Sequence, residues 1–189
     1  MAESSEPRGP AWLESYEPAE VEERRSLERV RELFSGEHDP YDRSLPLHLT
    51  GSAIVLDPQR RRVLLRWHER QGAWLHVGGH GDPGEDDPLA VALREAEEET
   101  GLADLRPLRP AGGLARPVHL AVVAVKARHL EPAHEHADVR YALVTATPER
   151  ARAESASAPV RWVSLDVAVT EVDENLAATL RRVAELLGE

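Results

Sequence analysis

The chain contains no cysteine, which excludes disulfides, thiolate metal ligands and cysteine nucleophiles. No stretch approaches the roughly 20 apolar residues of a membrane span. The acidic N-terminus also lacks the basic and hydrophobic segments of a secretory leader, so a cytoplasmic location is the default expectation. Positive charge is in short supply, with 23 Lys and Arg against 34 Asp and Glu and a net charge of −11. That balance argues against nucleic-acid binding and would repel an anionic substrate unless a bound cation reversed the sign locally. Lysine is nearly missing, since Lys126 stands alone among the arginines, a pattern of coding bias more than of function. Neither an internal repeat nor a low-complexity tract is present.

What remains is enough for one domain of about 140 residues with an extension. Residues 1–17 read as loose, being rich in Ser, Glu and Pro. Residues 18–34 carry Val21, Leu27, Val30, Leu33 and Phe34 at helical spacing, which predicts one amphipathic helix in an extension spanning 1–47. The domain itself, 48–189, opens with a strand at 48–57, a turn at Asp57-Pro58 and a hairpin partner at 61–67. A short strand at 73–77 leads into a glycine turn. Further strands are expected at 116–128, 137–146 and 160–164, with a closing helix over 173–187. Strands before and after a central helix, then a terminal helix, imply mixed α/β layers.

The most informative stretch is 78–102, GGHGDPGEDDPLAVALREAEEETGL. A helix should start near Pro88, capped by Asp86 or Asp87, and stop at Gly101. On it Glu95, Glu98 and Glu99 share one sector, while Leu89, Ala92, Leu93 and Ala96 line an adjoining apolar one. Glu95 and Glu99 at i,i+4 repel unless a cation joins them. Hard oxygen donors of this kind suit Mg²⁺ or Mn²⁺. A Glu-rich helix is most often only a solvated face. The combination of Gly78-Gly79, Glu85, Arg94-Glu95, Glu98-Glu99 and Gly101-Leu102 argues otherwise.

That combination resembles the box of the Nudix (MutT-like) hydrolases, G-x5-E-x7-R-E-U-x-E-E-x-G-U with U aliphatic. Gly79, Glu85, Arg94, Glu95, Ala96, Glu98, Glu99, Gly101 and Leu102 take its places. The chain departs from it in having eight residues between Glu85 and Arg94, so either Glu85 or Asp86 fills the first glutamate position. Val77 stands where many members have proline, and Ala96 is a small filler of the aliphatic slot.

The resemblance implies the Nudix fold, an α/β/α sandwich with a mixed β-sheet, here with an N-terminal helical extension. It implies a pyrophosphatase-type hydrolase of a phosphoanhydride in a nucleoside diphosphate-linked or related small substrate, with Mg²⁺ or Mn²⁺ as cofactor. Glu98 and Glu99 would be metal ligands with the carbonyl of Gly78. Glu95 would bind a further metal or act as general base, Glu85 would sit in the outer metal shell, and Arg94 would orient the glutamates. No membrane or stable nucleic-acid partner is expected, and a homodimer is compatible with the family. Two rivals are a catalytically weak Nudix-fold module that binds a nucleotide or nucleotide sugar, and an interaction protein using the 18–34 helix as an oligomerisation arm.

A second cluster lies at 129–141, HLEPAHEHADVRY. His134 and His136 alternate and share a face with Asp138 if the chain is extended. They suit three roles: solvated loop residues, substrate contacts or a base, or a separate transition-metal site. Glu135 competes with Glu95 for the role of base. Arg140 could hold phosphate, although a strand arginine more often pairs with a nearby carboxylate. His80 reads as a surface turn residue, Trp74 and Trp162 as core or pocket wall, and Arg60 to Arg62 as a solvated turn.

Overall fold

The computed structural model describes residues 9–109, 113–128 and 131–188. In chain order the elements are α1 (Ala11–Glu14), α2 (Val21–Ser35), β1 (Leu47–Asp57), β2 (Arg62–His68), β3 (Ala73–Leu75), β4 (Val77–His80) and α3 (Pro88–Thr100). There follow β5 (Arg106–Pro107), β6 (His119–Val125), β7 (His134–Val144), β8 (Val160–Ser164), α4 (Leu165–Glu171) and α5 (Glu174–Leu186). Among the described residues no helix is long and apolar enough to cross a membrane.

The sheet is built on β1 and β7, which run parallel in unbroken register from Leu47 opposite Glu135 to Leu56 opposite Val144. Both faces of β1 are covered, which is why its sequence is apolar nearly throughout. Leu49, Ala53 and Val55 join the core beneath α2 and α3, whereas Ile54 and Leu56 join the one beneath α4 and α5. The result is the expected α/β/α layering around a mixed sheet. β5 and β6 pair antiparallel with β7.

Because β7 occupies one edge of β1, β2 and β4 must share the other. β4 takes Thr50 to Ala53, and β2 takes only Leu56 and Asp57 before diverging to pair with β3 and β8. The sheet therefore forks between β2 and β4, and α3 packs across the β4 prong.

Local chemistry sets the ends of α3. Asp87 accepts the Leu89 N–H at 3.0 Å, so the cap is Asp87 of the two aspartates considered. Pro88 fills the first helical position, and Gly101 at φ 66° takes the left-handed conformation that ends the helix.

The N-terminal segment, α2 and β7 differ from the sequence reading. Residues 9–17 are not loose: α1 forms, and Leu13 and Tyr16 are buried; residues 1–8 lie outside the described residues. The extension thus carries two helices rather than one. α2 begins at Val21 because Glu20 and Glu23 form a reciprocal capping box, and its Leu27 and Val30 pack into the core. β7 begins at His134, three residues earlier than the strand expected at 137, because β1 and β6 both offer backbone partners there. The histidines thereby sit on a strand; His129 and Leu130 lie outside the described residues.

Candidate active site

Arg94 is the hub of the box. Its Nε and Nη2 donate to Glu85 at 3.1 and 2.9 Å, Nη2 also donates to the His80 carbonyl at 2.8 Å, and Nη1 donates to Glu95 at 3.0 Å and Glu98 at 3.2 Å. Glu85 also accepts the Asp82 N–H at 2.7 Å. Asp86 makes no such bond to Arg94 among the described residues, so the extra residue is absorbed between Glu85 and the cap at Asp87. The Arg94 guanidinium holds the Glu85 carboxyl below the ordinary range.

Glu99 lies deeper. Its carboxylate accepts the Gly78 N–H at 3.1 Å and faces Arg66 of β2 at 3.2 Å, across the fork. Burial pushes Glu99 up to about 7, with Arg66 opposing, and burial also raises Glu95. Glu98 is more than half exposed, at 56%. The three glutamates line one face of α3, each held by an arginine, and their oxygens do not converge on a single point. Like charges favour that separation, with guanidinium groups as counter-ions. The donor set is all oxygen, as Mg²⁺ and Mn²⁺ require. Space is tight beside it, since a Cβ built on Gly79 would lie 2.5 Å from the Glu95 carboxylate.

On the other side of the fork a cavity of about 400 Å³ adjoins Gly78 and Glu99, with Arg66, Arg70, His76 and His136 in its wall. Its floor is a polar network around Asp138, which accepts from Ser52 at 2.6 Å, Thr50 at 3.1 Å and Arg140 Nε at 2.7 Å, with His76 Nε2 at 3.2 Å. Burial would raise Asp138, but the Arg140 charge and these donors hold it far below the ordinary range. Arg140 also donates to Thr179 of α5 at 2.8 Å. It is therefore engaged with its neighbouring carboxylate, the alternative weighed for it from sequence.

Strand alternation separates the remaining candidates. His134 and His136 share a face with Asp138 and Arg140, whereas Glu135 points to the opposite face and pairs with Arg29 of α2 at 2.6 Å. Of the substrate candidates on 134–140, His136 and Arg140 line the cavity, whereas His134 and Glu135 do not. His80 is not a free turn residue, because its Nε2 lies 3.2 Å from both His48 and His136. Burial is the main cause that lowers His80 to about 3 and His136 to about 4.

A family model described as the NUDIX domain matches residues 46–187. The chain belongs to the Nudix family. Solved structures similar to it include a Nudix-family hydrolase from Clostridium perfringens, 21% identical with a TM-score of 0.51, covering 75% of this chain and 96% of that one. A C. elegans Ap4A hydrolase is 19% identical with a TM-score of 0.51, covering 74% and 97%; its binary complex is 16% identical with a TM-score of 0.56 over the same shares. At these identities the likeness speaks to the Nudix fold alone. A search of the curated proteins finds no match.

Nudix enzymes generally use divalent metals, which agrees with the oxygen donors on α3. Sequence reasoning missed Arg66, His76 and His48. Arg66 lies within a strand-like run whose apolar residues drew the attention. His48 and His76 gain meaning only from strands that pair across long stretches of chain.

Proposed function

We propose that this Nudix chain is a divalent-metal-dependent hydrolase that cleaves a phosphoanhydride bond in a nucleoside diphosphate-linked or related small phosphorylated substrate. The observation that carries the reading is Arg94, one guanidinium bonded to Glu85, Glu95 and Glu98 together. Beside it, the half-buried Glu99 opens onto a cavity with Arg66 and Arg70 in its wall.

In this reading Glu98 and Glu99 hold the metal with the carbonyl of Gly78. When bound, Mg²⁺ or Mn²⁺ neutralises a diphosphate and lowers the pKa of a water molecule. Glu95 serves as a further ligand or takes the proton of the attacking water. Arg94 keeps the glutamates in register, with Glu85 fixing the guanidinium from its other side. Arg66 and Arg70 supply the positive charge that an anionic substrate needs on a chain of net charge −11. Arg140 orders Asp138 and α5 at the cavity wall. The Glu85–Arg94 bond also weakens the case for a binding-only module, which rested on Glu85 being displaced by the extra residue.

The test is release of phosphate or nucleotide from nucleoside triphosphates, ADP-ribose, nucleotide sugars and dinucleoside polyphosphates, the last because two similar structures are Ap4A hydrolases. Each is run with Mg²⁺ or Mn²⁺ beside Glu99→Gln. Metal-dependent turnover that falls by about 10²–10³-fold in the variant is expected, the usual size of losing one transition-state contact. Ligand-induced thermal stabilisation with no turnover across the panel would replace this reading with the binding module.

A further inference from the structure

Four histidines from three strands make a chain of contacts outside the glutamate cluster. His48 comes from β1, His80 from β4, and His134 and His136 from β7. The parallel register sets His48 directly opposite His136. Nε2 of His80 lies 3.2 Å from Nε2 of His48 and 3.2 Å from that of His136, and the His134 and His136 Nε2 atoms are 3.1 Å apart. Donor atoms of His48, His134 and His136 all fall within 4.8 Å of one another.

The two ends of this chain of contacts are fixed by the backbone. Nδ1 of His48 lies 3.1 Å from the Leu45 carbonyl, and Nδ1 of His134 lies 3.0 Å from the Pro132 carbonyl. A carbonyl accepts only, so each Nδ1 carries the proton, and in the neutral rings both terminal Nε2 atoms present a lone pair. Hydrogen bonds along His48, His80, His136 and His134 would have to alternate acceptor and donor. A row of four that begins and ends with an acceptor cannot alternate. With neutral rings, one of the three contacts is necessarily lone pair to lone pair or N–H to N–H.

A cation removes the conflict, because all four Nε2 atoms can then act as lone-pair donors. The Nδ1–H to carbonyl bonds are the arrangement that orients metal-ligating histidines. For Zn–N bonds of about 2.0–2.1 Å, a tetrahedron has N···N edges of roughly 3.3–3.4 Å, close to the three contacts here. Imidazole nitrogen suits zinc-class ions and not magnesium. We propose that His48, His134 and His136, with His80 beside them, form a site for a divalent transition metal of the zinc class, separate from the glutamate site on α3.

His80, in contact with His48 and His136, is the nearby imidazole that would supply a fourth ligand and leave the site closed and structural. It ties β4 to β1 and β7 at the residue whose carbonyl receives Arg94, and thereby fixes the glycines that precede it. Glu131, 3.8 Å from His134 Nε2, supplies nearby negative charge. The inference stands independently of which bond the α3 glutamates help to cleave.

The experiment uses the full chain, stripped with chelator, reloaded with Zn²⁺ in excess Mg²⁺ and passed through gel filtration before elemental analysis. About one Zn²⁺ per chain is expected, retained in Glu98→Gln and lost in His134→Ala and His136→Ala. Circular dichroism checks that the variants are folded. Co²⁺ loaded into the unaltered chain gives a readout that needs no variant: the intense visible absorption of a tetrahedral ion is expected. No retained Zn²⁺, or only the weak absorption of octahedral Co²⁺, overturns the site and leaves a hydrogen-bonded cluster that carries a proton. Zn²⁺ lost in Glu98→Gln but kept in both histidine variants overturns it equally, by assigning the metal to α3.

Discussion

At the scale of single residues, two glycines do different work although both lie under α3. A Cβ at Gly51 would meet the Pro88 carbonyl oxygen at 2.4 Å and the backbone nitrogen of Ala92 at 3.0 Å, atoms that cannot swing away. The three atoms nearest a Cβ at Gly79 all belong to the end of the Glu95 side chain. Gly51→Ala is therefore expected to destabilise the fold by about 1–3 kcal/mol, as overpacking does, read as a lowered denaturant midpoint. Gly79→Ala should leave that midpoint nearly unchanged and cut kcat by on the order of 10²-fold, the usual result of moving a catalytic group by about an ångström. A Gly79→Ala protein with full activity would show that the position of Glu95 is not critical. Sequence made Gly79 visible through its motif, whereas Gly51 looked like any residue in a strand. Its role depends on where α3 crosses, and nothing local encodes that.

Among the elements, α3 was legible almost to the residue because its start and stop signals are local: a capping aspartate, a proline and a closing glycine. β7 was not, since its first three residues are held by strands that begin at residues 47 and 119. The histidine cluster was hidden for the same reason. The α2 helix was legible from its apolar spacing, but its anchoring was not. Glu23 on α2 is buried and bonded to Tyr16 and to Arg182 of α5, the latter at 2.5 Å through Nη2. Burial acts to raise Glu23, yet Arg182 and Tyr16 outweigh it and bring the carboxyl down to about 2 from its ordinary 4.5. A lowered folded-state value means the stabilisation is present above pH 4.5 and is lost as pH falls from there toward 2. Hydrogen exchange in α2 and α1 is expected to rise across that window. Glu23→Gln should cost about 3 kcal/mol at neutral pH, since it leaves Arg182 half-buried without its partner. An unchanged thermal midpoint in Glu23→Gln would mean that this ion pair does not fasten the helix.

For the molecule as a whole, the open question is whether the extension is an arm for other copies of the chain or a part of this one. Its apolar stripe fits either, so periodicity could not choose. In the structure Leu13, Tyr16, Leu27, Val30 and Tyr41 are buried in the same core as Leu49, Val91, Leu120 and Val139. Burying a side chain of this size contributes about 1.5–3 kcal/mol. Five of them approach the whole net stability of a domain, about 5–15 kcal/mol. A chain that starts near Leu45 would expose the face of β6 and β7 that α2 covers, and would also leave Arg182 without Glu23. It is expected to lose cooperative thermal unfolding and to aggregate, although it retains the whole segment that matches the family, 46–187. Light scattering and calorimetry on both lengths distinguish the cases. If the shortened chain stays folded with the full chain's thermal midpoint and only its oligomeric state drops, the extension is an arm; the packing of Leu27 and Val30 argues for the opposite result.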